Sequence, residues 1–127
     1  MPPVRERMTS SVVRIEPSAT VVDAARLMIQ QEKGPLPVVV DDRVVGMITD
    51  RDIIARVVVA GRDPSSTTVS EVATKDLVTI GPDDDEQVAR QMMAQHQLDR
   101  LLVVEEGDRL VGVISEADLR ADEGPLA

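Results

Sequence analysis

The sequence predicts an α+β fold in which one β-α-β-β-α unit occurs twice. Short valine-rich runs typical of strands alternate with amphipathic segments typical of helices, and the same order appears in both halves of the chain. With 127 residues, 43% of them hydrophobic, the chain has the size and composition of one globular domain or of two very small ones. One unit alone buries too little apolar area to be stable. We therefore expect two units related by a pseudo-two-fold axis, with their sheets packed together and their helices outside.

The repeat rests on identities at a constant spacing of 65 residues, which becomes 66 after the extra residue Gly107. The first-copy residues that recur in this way include Val4, Glu6, Thr9, Val13, Ile15, Pro17, Ala24, Met28, Leu36, Val38, Asp42, Arg43, Gly46, Ile48 and Asp52. So many identities in one order do not arise by chance. They divide the chain into repeat 1 (4–60), a linker of loop-type residues (61–68), repeat 2 (69–120) and a tail (121–127) that we expect to be disordered.

Each copy predicts the same five elements. The β-branched runs at 12–15 and 77–80 predict the first strands. Apolar residues at helical spacing predict the helix that follows, and they are Val21, Ala24, Ala25 and Met28 in copy one and Val88, Ala89, Met92 and Met93 in copy two. Thr20 with Asp23 predicts a capping box at the start of the first of these helices. Apolar runs around a polar turn then predict a β-hairpin in each copy, and a second helix is expected to begin at Thr49 and at Ser115.

Several function classes are excluded by residue types that the chain lacks. It contains no cysteine, which excludes disulfides, thiolate metal sites and cysteine nucleophiles, and its single histidine, His96, argues against serine-histidine catalysis. No Phe, Trp or Tyr is present, so bases cannot stack on aromatic side chains. The entire net charge of −9 falls in residues 64–127, which would repel a nucleic-acid backbone. No apolar run approaches the ~18 residues of a membrane helix, and no signal peptide opens the chain, so we expect a soluble cytoplasmic protein.

Several motifs, taken together, resemble the CBS domain family. They are Met8-Thr9, the Val-x-Ile-x-Pro run, the Leu-Pro-Val-Val strand start and the run from Gly46 to Asp52, with a second-copy counterpart from Gly112 to Asp118. The tandem resembles a Bateman module over roughly residues 4–120. The resemblance implies a regulatory module without catalytic residues, metal or cofactor, which binds AMP, ADP, ATP or S-adenosylmethionine in clefts between the repeats. It further implies a homodimer that regulates an unknown protein in trans. The rival hypothesis is a structural or interaction protein with this fold and no ligand.

The pattern Thr49-x-x-Asp52 and its counterpart Ser115-x-x-Asp118 have two interpretations. As a capping box, the hydroxyl accepts a hydrogen bond from a first-turn amide and the carboxylate reaches back to the amide of the capping residue. In ligand-binding members of the resembled family, the hydroxyl contacts a phosphate at the helix N-terminus and the carboxylate accepts from the ribose hydroxyls. Both copies retain both residues, so both interpretations stay open for each.

The adenine side of the clefts follows from the resemblance alone. The matching positions are Thr9, Val12, Val13, Lys33, Gly34 and Pro35 in copy one, and Thr74, Leu77, Val78, Asp99 and Arg100 in copy two. For the valines and Leu77, ordinary core packing is the favoured alternative. Charge ranks the two clefts, because Arg51 and Lys33 lie near the expected phosphate path in copy one, whereas Asp99 adjoins Arg100 in copy two. We therefore predict that the cleft governed by Thr49 and Asp52 binds more tightly, and that phosphate-rich ligands such as ATP are disfavoured.

Overall fold

The computed structural model describes residues 2–31 and 35–121. They form two compact units, which we name for their place in the sequence. The central unit contains residues 13–77, and the terminal unit combines residues up to Val12 with those from Val78 onward. Helices and strands occur in both, which confirms the predicted α+β class. No helix in the described part of the chain is long and apolar enough to cross a membrane.

The central unit packs two helical segments and a short third helix on a β-hairpin. Its elements are α1 (Val21–Gln31), β1 (Leu36–Val40), β2 (Arg43–Ile48), α2 (Asp50–Ile53), which continues as a π-helical turn (Ile54–Val58), and α3 (Val69–Val72). The predicted capping box of Thr20 and Asp23 begins α1, with both hydrogen bonds 3.2 Å long. The antiparallel β1–β2 pair turns at Asp41 and Asp42, whose φ angles of 51° and 65° fit a tight primed turn. Apolar side chains on the inner faces form the core of this unit, including Val21, Ala24, Met28, Leu36, Val38, Ile48, Val57, Val69 and Val72.

The terminal unit contains a three-stranded arrangement with two helices. A 3₁₀ turn (Val4–Glu6) precedes β3 (Thr79–Ile80), α4 (Glu86–His96), β4 (Arg100–Glu105), β5 (Arg109–Ser115) and α5 (Glu116–Ala121). Strand β4 pairs parallel with β3 and antiparallel with β5. The aliphatic core comprises Val4, Ile80, Ala89, Met93, Leu101, Val103, Ile114 and Leu119.

The first strand of each copy is shorter than predicted. In copy one Ile15 forms an isolated parallel bridge, donating to Pro37 O and accepting from Val39 N at 3.0 and 2.9 Å. A longer parallel pairing would need a hydrogen bond donated by the backbone amide of residue 37, and Pro37 has no amide hydrogen. Copy two has Leu102 at that position, and there the strand extends to two residues, Thr79 and Ile80. The predicted strands at 12–15 and 77–80 are therefore wrong in their extent.

The predicted apolar face of the second long helix is also partly wrong. Ala89 and Met93 are buried on α4, but Val88 is 39% exposed. Glu86, in the first turn of α4, is buried together with Ala89 and Met93. Its carboxylate forms an ion pair with Arg7, whose Nε lies 3.1 Å from Glu86 Oε2. A buried carboxylate is tolerated only with such a partner.

In each repeat, the segment before the first strand pairs with the hairpin of the other repeat, so that the two leading segments are exchanged. Thr9 of copy one exchanges two backbone hydrogen bonds with Val113 of copy two, at 2.8 and 2.9 Å. Thr74 of copy two bonds Met47 of copy one in the same way, at 2.8 and 2.9 Å. Each compact unit thus consists of one repeat's hairpin and the leading segment of the other. The predicted repeat limits and pseudo-two-fold axis stay predictions, and residues 122–127 of the expected tail lie outside the described residues.

Candidate functional site

Both copies of the Thr/Ser-x-x-Asp pattern form complete capping boxes. Thr49 directly follows β2 in an extended conformation and caps α2, its hydroxyl accepting from Asp52 N at 3.1 Å. In return, Asp52 Oδ2 accepts from Thr49 N at 2.9 Å. Ser115 and Asp118 repeat the two bonds at 3.1 and 2.9 Å at the start of α5. The capping interpretation is therefore correct for both copies, and each box uses only one oxygen of its carboxylate.

The second oxygen of Asp52 has a partner that the sequence did not predict. Thr74 Oγ1 donates to Asp52 Oδ1 at 3.3 Å. The backbone bonds of Thr74 to Met47 hold it beside the end of β2, and Asp52, Thr49 and Thr74 are all half-buried. We call Thr49, Asp52 and Thr74 the Asp52 cluster. It presents carboxylate and hydroxyl groups at a partly accessible position, the setting in which a polar ligand could be recognised.

The counterpart in the terminal unit lacks this third member. Thr9 pairs with Val113, two residues before Ser115, but its side chain is exposed. Among the described residues, its hydroxyl makes no hydrogen bond to Asp118. From the family resemblance we expected Thr9 among the cleft residues of copy one and Thr74 among those of copy two. The structure instead brings Thr74, not Thr9, to the Thr49–Asp52 box.

Three amides in the first turn of α2 are already hydrogen-bonded within the chain. Arg51 N donates to Asp50 Oδ1 at 2.9 Å, and Ile53 N donates to Thr49 O at 3.2 Å. With Asp52 N bonded to Thr49, three successive amides have acceptors within the chain. At α5, Glu116 N donates to Asp99 O at 2.8 Å. These amides do not need a phosphate to satisfy them.

The charges near the second box oppose an anion. Arg100 begins β4, and its Nε lies 3.5 Å from Asp99 Oδ1, while the same Nε is buried without a hydrogen bond. A cavity of about 550 Å³ nearby is lined by Met93, Ala94, Gln97, Leu98, Asp99 and Glu116. Its charged lining residues, Asp99 and Glu116, are both acidic. In the central unit Arg51 is exposed beside the first box.

The remaining candidate residues lie in less distinctive surroundings. Val13 packs against the core of the central unit and Val78 against that of the terminal unit, as the packing alternative predicted. Val12, Pro35 and Leu77 are half-buried. Lys33 and Gly34 lie outside the described residues. No group of three His, Asp or Glu side chains within residues 2–31 and 35–121 is placed to hold a metal ion.

The exchange of leading segments was missed by sequence reasoning, although the sequence contains a signal for it. A Cβ at Gly46 would lie 3.2 Å from Thr74 O, and one at Gly112 would lie 2.9 Å from Thr9 O. Both glycines are identical in the repeat and interrupt a strand. Glycine inside a strand often marks the close approach of another backbone.

Comparison with known proteins supports one family. The CBS domain model matches residues 4–59 and 69–122. The CBS domain-containing protein YhcV of Bacillus subtilis is 41% identical over 97% of this chain and 86% of its own. Hypoxic response protein 1 of Mycobacterium tuberculosis is 35% identical over 94% of this chain and 83% of its own.

Two solved structures share the fold. The crystal structure of Hypoxic Response Protein I with two coordinated zinc ions aligns with a TM-score of 0.85 and 34% identity, covering 96% of this chain and 99% of that one. The CBS domain pair of protein MJ0100, in complex with 5′-methylthioadenosine and S-adenosyl-L-methionine, aligns with a TM-score of 0.82 over 98% and 97%, at 22% identity. The paired Thr/Ser-x-x-Asp boxes, the repeated α+β units and the two family matches agree: this chain belongs to the CBS domain family and contains a tandem pair of CBS domains.

Proposed function

We propose that this protein is a regulatory CBS pair that binds an adenosine-containing ligand at the Asp52 cluster and controls a partner protein in trans. The observation that supports the proposal is the half-buried carboxylate of Asp52, which is fixed in place by Thr49 and Thr74. A carboxylate offers about four lone-pair positions, of which the chain uses two here. The other two can accept hydrogen bonds from the hydroxyls of a ribose.

The ligand that fits best is an adenosyl compound with little phosphate. Three amides at the start of α2 are already bonded within the chain. Arg51 is exposed, and an exposed guanidinium attracts a phosphate only weakly. The MJ0100 pair, which has the same fold, is known in complex with 5′-methylthioadenosine and S-adenosyl-L-methionine. Neither of these ligands carries a phosphate group, and we extend this ligand class to the present chain.

Control of a partner, rather than catalysis, is the role we assign to the module. The chain has no cysteine and one histidine, and His96 ends α4 as an exposed residue. An activated nucleophile needs a base within hydrogen-bond reach, which these residue types do not provide. Curated relatives include an inosine-5′-monophosphate dehydrogenase from Korarchaeum cryptofilum, of which this chain spans 21%. The similarity to that enzyme thus covers a small part of it.

Homodimerisation is the second part of the proposal. Ile54 and Val58 on the π-helical extension of α2, and Val59 directly after it, are 57%, 68% and 78% exposed. Val59 N donates to Ile54 O at 2.9 Å, so these residues share one side of the turn. Large exposed aliphatic side chains grouped in this way drive association. Light scattering at micromolar concentration should give about twice 13.8 kDa, and a monomer would contradict this part of the proposal.

Absorbance gives the first test of ligand binding. Without Trp, Tyr or Cys, the pure protein barely absorbs at 280 nm, so a co-purified adenine compound would dominate the ultraviolet spectrum near 260 nm. Titration calorimetry with AMP, ATP and S-adenosylmethionine follows, and we expect S-adenosylmethionine or AMP to bind more tightly than ATP. No band and no heat with any of the three would instead favour the rival hypothesis, a CBS-fold interaction protein without a ligand.

A further inference from the structure

We infer that Met8 is an oxidation site, and that its conversion to the sulfoxide loosens the leading segment of the terminal unit. This segment, residues 2–9, comes from repeat 1 and pairs with the hairpin of repeat 2. Neither a nucleotide nor the Asp52 cluster takes part, so this role is separate from the proposed function. Three features support it: the position of the Met8 sulfur, a cavity beside it and the pairing of the next residue, Thr9.

The thioether of Met8 lies directly on the backbone of β5 at Gly112. A Cβ at Gly112 would be 2.7 Å from Met8 Sδ and 3.1 Å from its Cγ, so the methionine side chain occupies the space that a side chain at residue 112 would need. Met8 also packs against the core of the terminal unit. Closely packed interiors tolerate added atoms poorly. An oxygen bonded to Met8 Sδ would therefore find no room beside the strand.

Met8 also lines a cavity of about 410 Å³ in the terminal unit. The side chain is half-buried, so hydrogen peroxide from solution has a route to the sulfur. A sulfoxide oxygen is polar and accepts hydrogen bonds, and it would meet mostly carboxylates here. The charged residues that line the cavity are Arg5, Asp83, Asp84, Glu105 and Glu106. Arg5 already pairs with Asp83. The oxidised side chain thus fits neither against the strand nor in the cavity.

The reaction is the transfer of one oxygen atom from hydrogen peroxide to sulfur. A lone pair of Met8 Sδ attacks a peroxide oxygen, the S–O bond forms, the O–O bond breaks, and water leaves after a proton shift. The sulfur loses the two electrons that the peroxide gains. Methionine sulfoxide reductases reverse the change, with a dithiol supplying two electrons and the oxygen leaving as water. Met8 can therefore alternate between an apolar and a polar state.

The structural consequence falls on Thr9. Thr9 N donates to Val113 O at 2.8 Å, and Val113 N donates to Thr9 O at 2.9 Å. When the side chain of Met8 leaves its place above Gly112, these two bonds lose the packing beside them and open more often. In the central unit the corresponding residue is Ala73, which has no sulfur to oxidise.

The test is amide hydrogen exchange on the full chain before and after treatment with hydrogen peroxide, with peptide mass mapping of each methionine. Met8 should be converted before Met28 and Met93, which are only 8% and 3% exposed. The amide hydrogens of Thr9 and Val113 should then exchange about 5- to 30-fold faster, the factor that a moderate loss of stability produces in an opening equilibrium. Methionine sulfoxide reductases A and B with dithiothreitol should restore the slow exchange.

A leucine at residue 8 provides the matched control. Met8→Leu retains nearly the same volume without a sulfur, and the other methionines remain open to oxidation. After the same peroxide treatment, it should keep slow exchange at Thr9 and Val113. Met8→Ala, which copies Ala73 of the other repeat, replaces it if the leucine variant does not fold.

Three results would overturn the inference. The first is a Met8 that stays reduced until the buried methionines are converted. The second is full conversion of Met8 with no faster exchange at Thr9 and Val113. The third is equal acceleration at these two amides in wild type and Met8→Leu, which would place the effect at another methionine.

Discussion

The two copies place the same capping box at the same junction of strand and helix, yet they surround it differently. In the central unit the exchanged segment brings the hydroxyl of Thr74 to Asp52 at 3.3 Å. In the terminal unit the equivalent Thr9 is exposed and lies closer to the strand, with its carbonyl oxygen 2.9 Å from a Cβ built on Gly112. Met8 also stands above Gly112, where the other copy has the smaller Ala73 above Gly46. The same Thr/Ser-x-x-Asp pattern therefore has different surroundings in the two units, where the crossing segments differ in sequence and in distance from the strand.

The largest expected difference between the two units lies in the stability that each loses when its strand glycine, Gly112 or Gly46, is replaced by alanine. In Gly112→Ala, the new methyl group would meet Met8 Sδ at 2.7 Å and Thr9 O at 2.9 Å, so the backbone of the crossing segment must move. We expect a loss of about 2–3 kcal/mol in the free energy of unfolding, the upper part of the range for overpacking. Gly46→Ala meets Thr74 O at 3.2 Å and should cost less, about 1 kcal/mol.

Urea unfolding followed by circular dichroism measures both variants. It suits this chain because tryptophan fluorescence is not available as a probe. Equal losses for Gly46→Ala and Gly112→Ala would mean that the two crossing segments approach their strands equally, and the comparison would fail.

The second effect concerns binding at the two boxes. Asp52→Ala should weaken an adenosine ligand by about 1–3 kcal/mol, the range for a hydrogen-bonded charged group, and Asp118→Ala should matter less. The reason is the chain's own charge: Asp99 and Glu116 lie near the second box, whereas Arg51 adjoins the first. Calorimetric titration with AMP, whose phosphate is an anion, measures the difference after circular dichroism shows that each variant is folded. Loss of binding in Asp118→Ala with Asp52→Ala unaffected would reverse the ranking of the sites.

The sequence predicted what depends on local pattern and repetition. The hairpins, the helix starts and the three capping boxes at Thr20, Thr49 and Ser115 are encoded within a few residues of each other, and all are present. The extent of the first strand depended on a distant proline, Pro37, which removes a donor from the neighbouring strand. The partner of Asp52 lies 22 residues away in the other repeat. Gly46 marks that another backbone approaches the strand, but no local pattern identifies which segment it is, and the contact of Thr74 with Asp52 depends on that.

A third, smaller effect should come from Asp99. In Asp99→Asn the nearby Arg100 loses its ion-pair partner, whose Oδ1 lies 3.5 Å from Nε, and the second box becomes less negative. Affinity for AMP at the Asp118 box should rise by about 0.5–1 kcal/mol, the scale of a partly exposed charge pair. The gain should shrink in high salt, and calorimetry at two ionic strengths checks this. Asp76→Asn, a control in the central unit, should leave it unchanged. Equal effects of the two variants would show that only net charge matters.

The smallest expected effect is a difference in pH-dependent stability between the short turns at which the two exchanged segments begin. In the central unit, Thr68 N and Oγ1 donate to Glu71 Oε2 at 2.8 and 3.0 Å, which lowers the pKa of Glu71 below its usual value, with Arg62 adding to the effect. The equivalent turn of the terminal unit begins at Pro3, which has no side-chain cap.

A carboxyl whose pKa is lower in the folded state stabilises the fold at neutral pH, and this contribution is lost as the pH falls through its titration range. Wild type should therefore lose more stability than Glu71→Gln between pH 7 and acidic pH. Urea midpoints across that range measure the difference, with Glu6→Gln, at the repeat-equivalent position, as the matched control. Parallel pH profiles for wild type and Glu71→Gln would show that the Thr68 contact does not stabilise the fold.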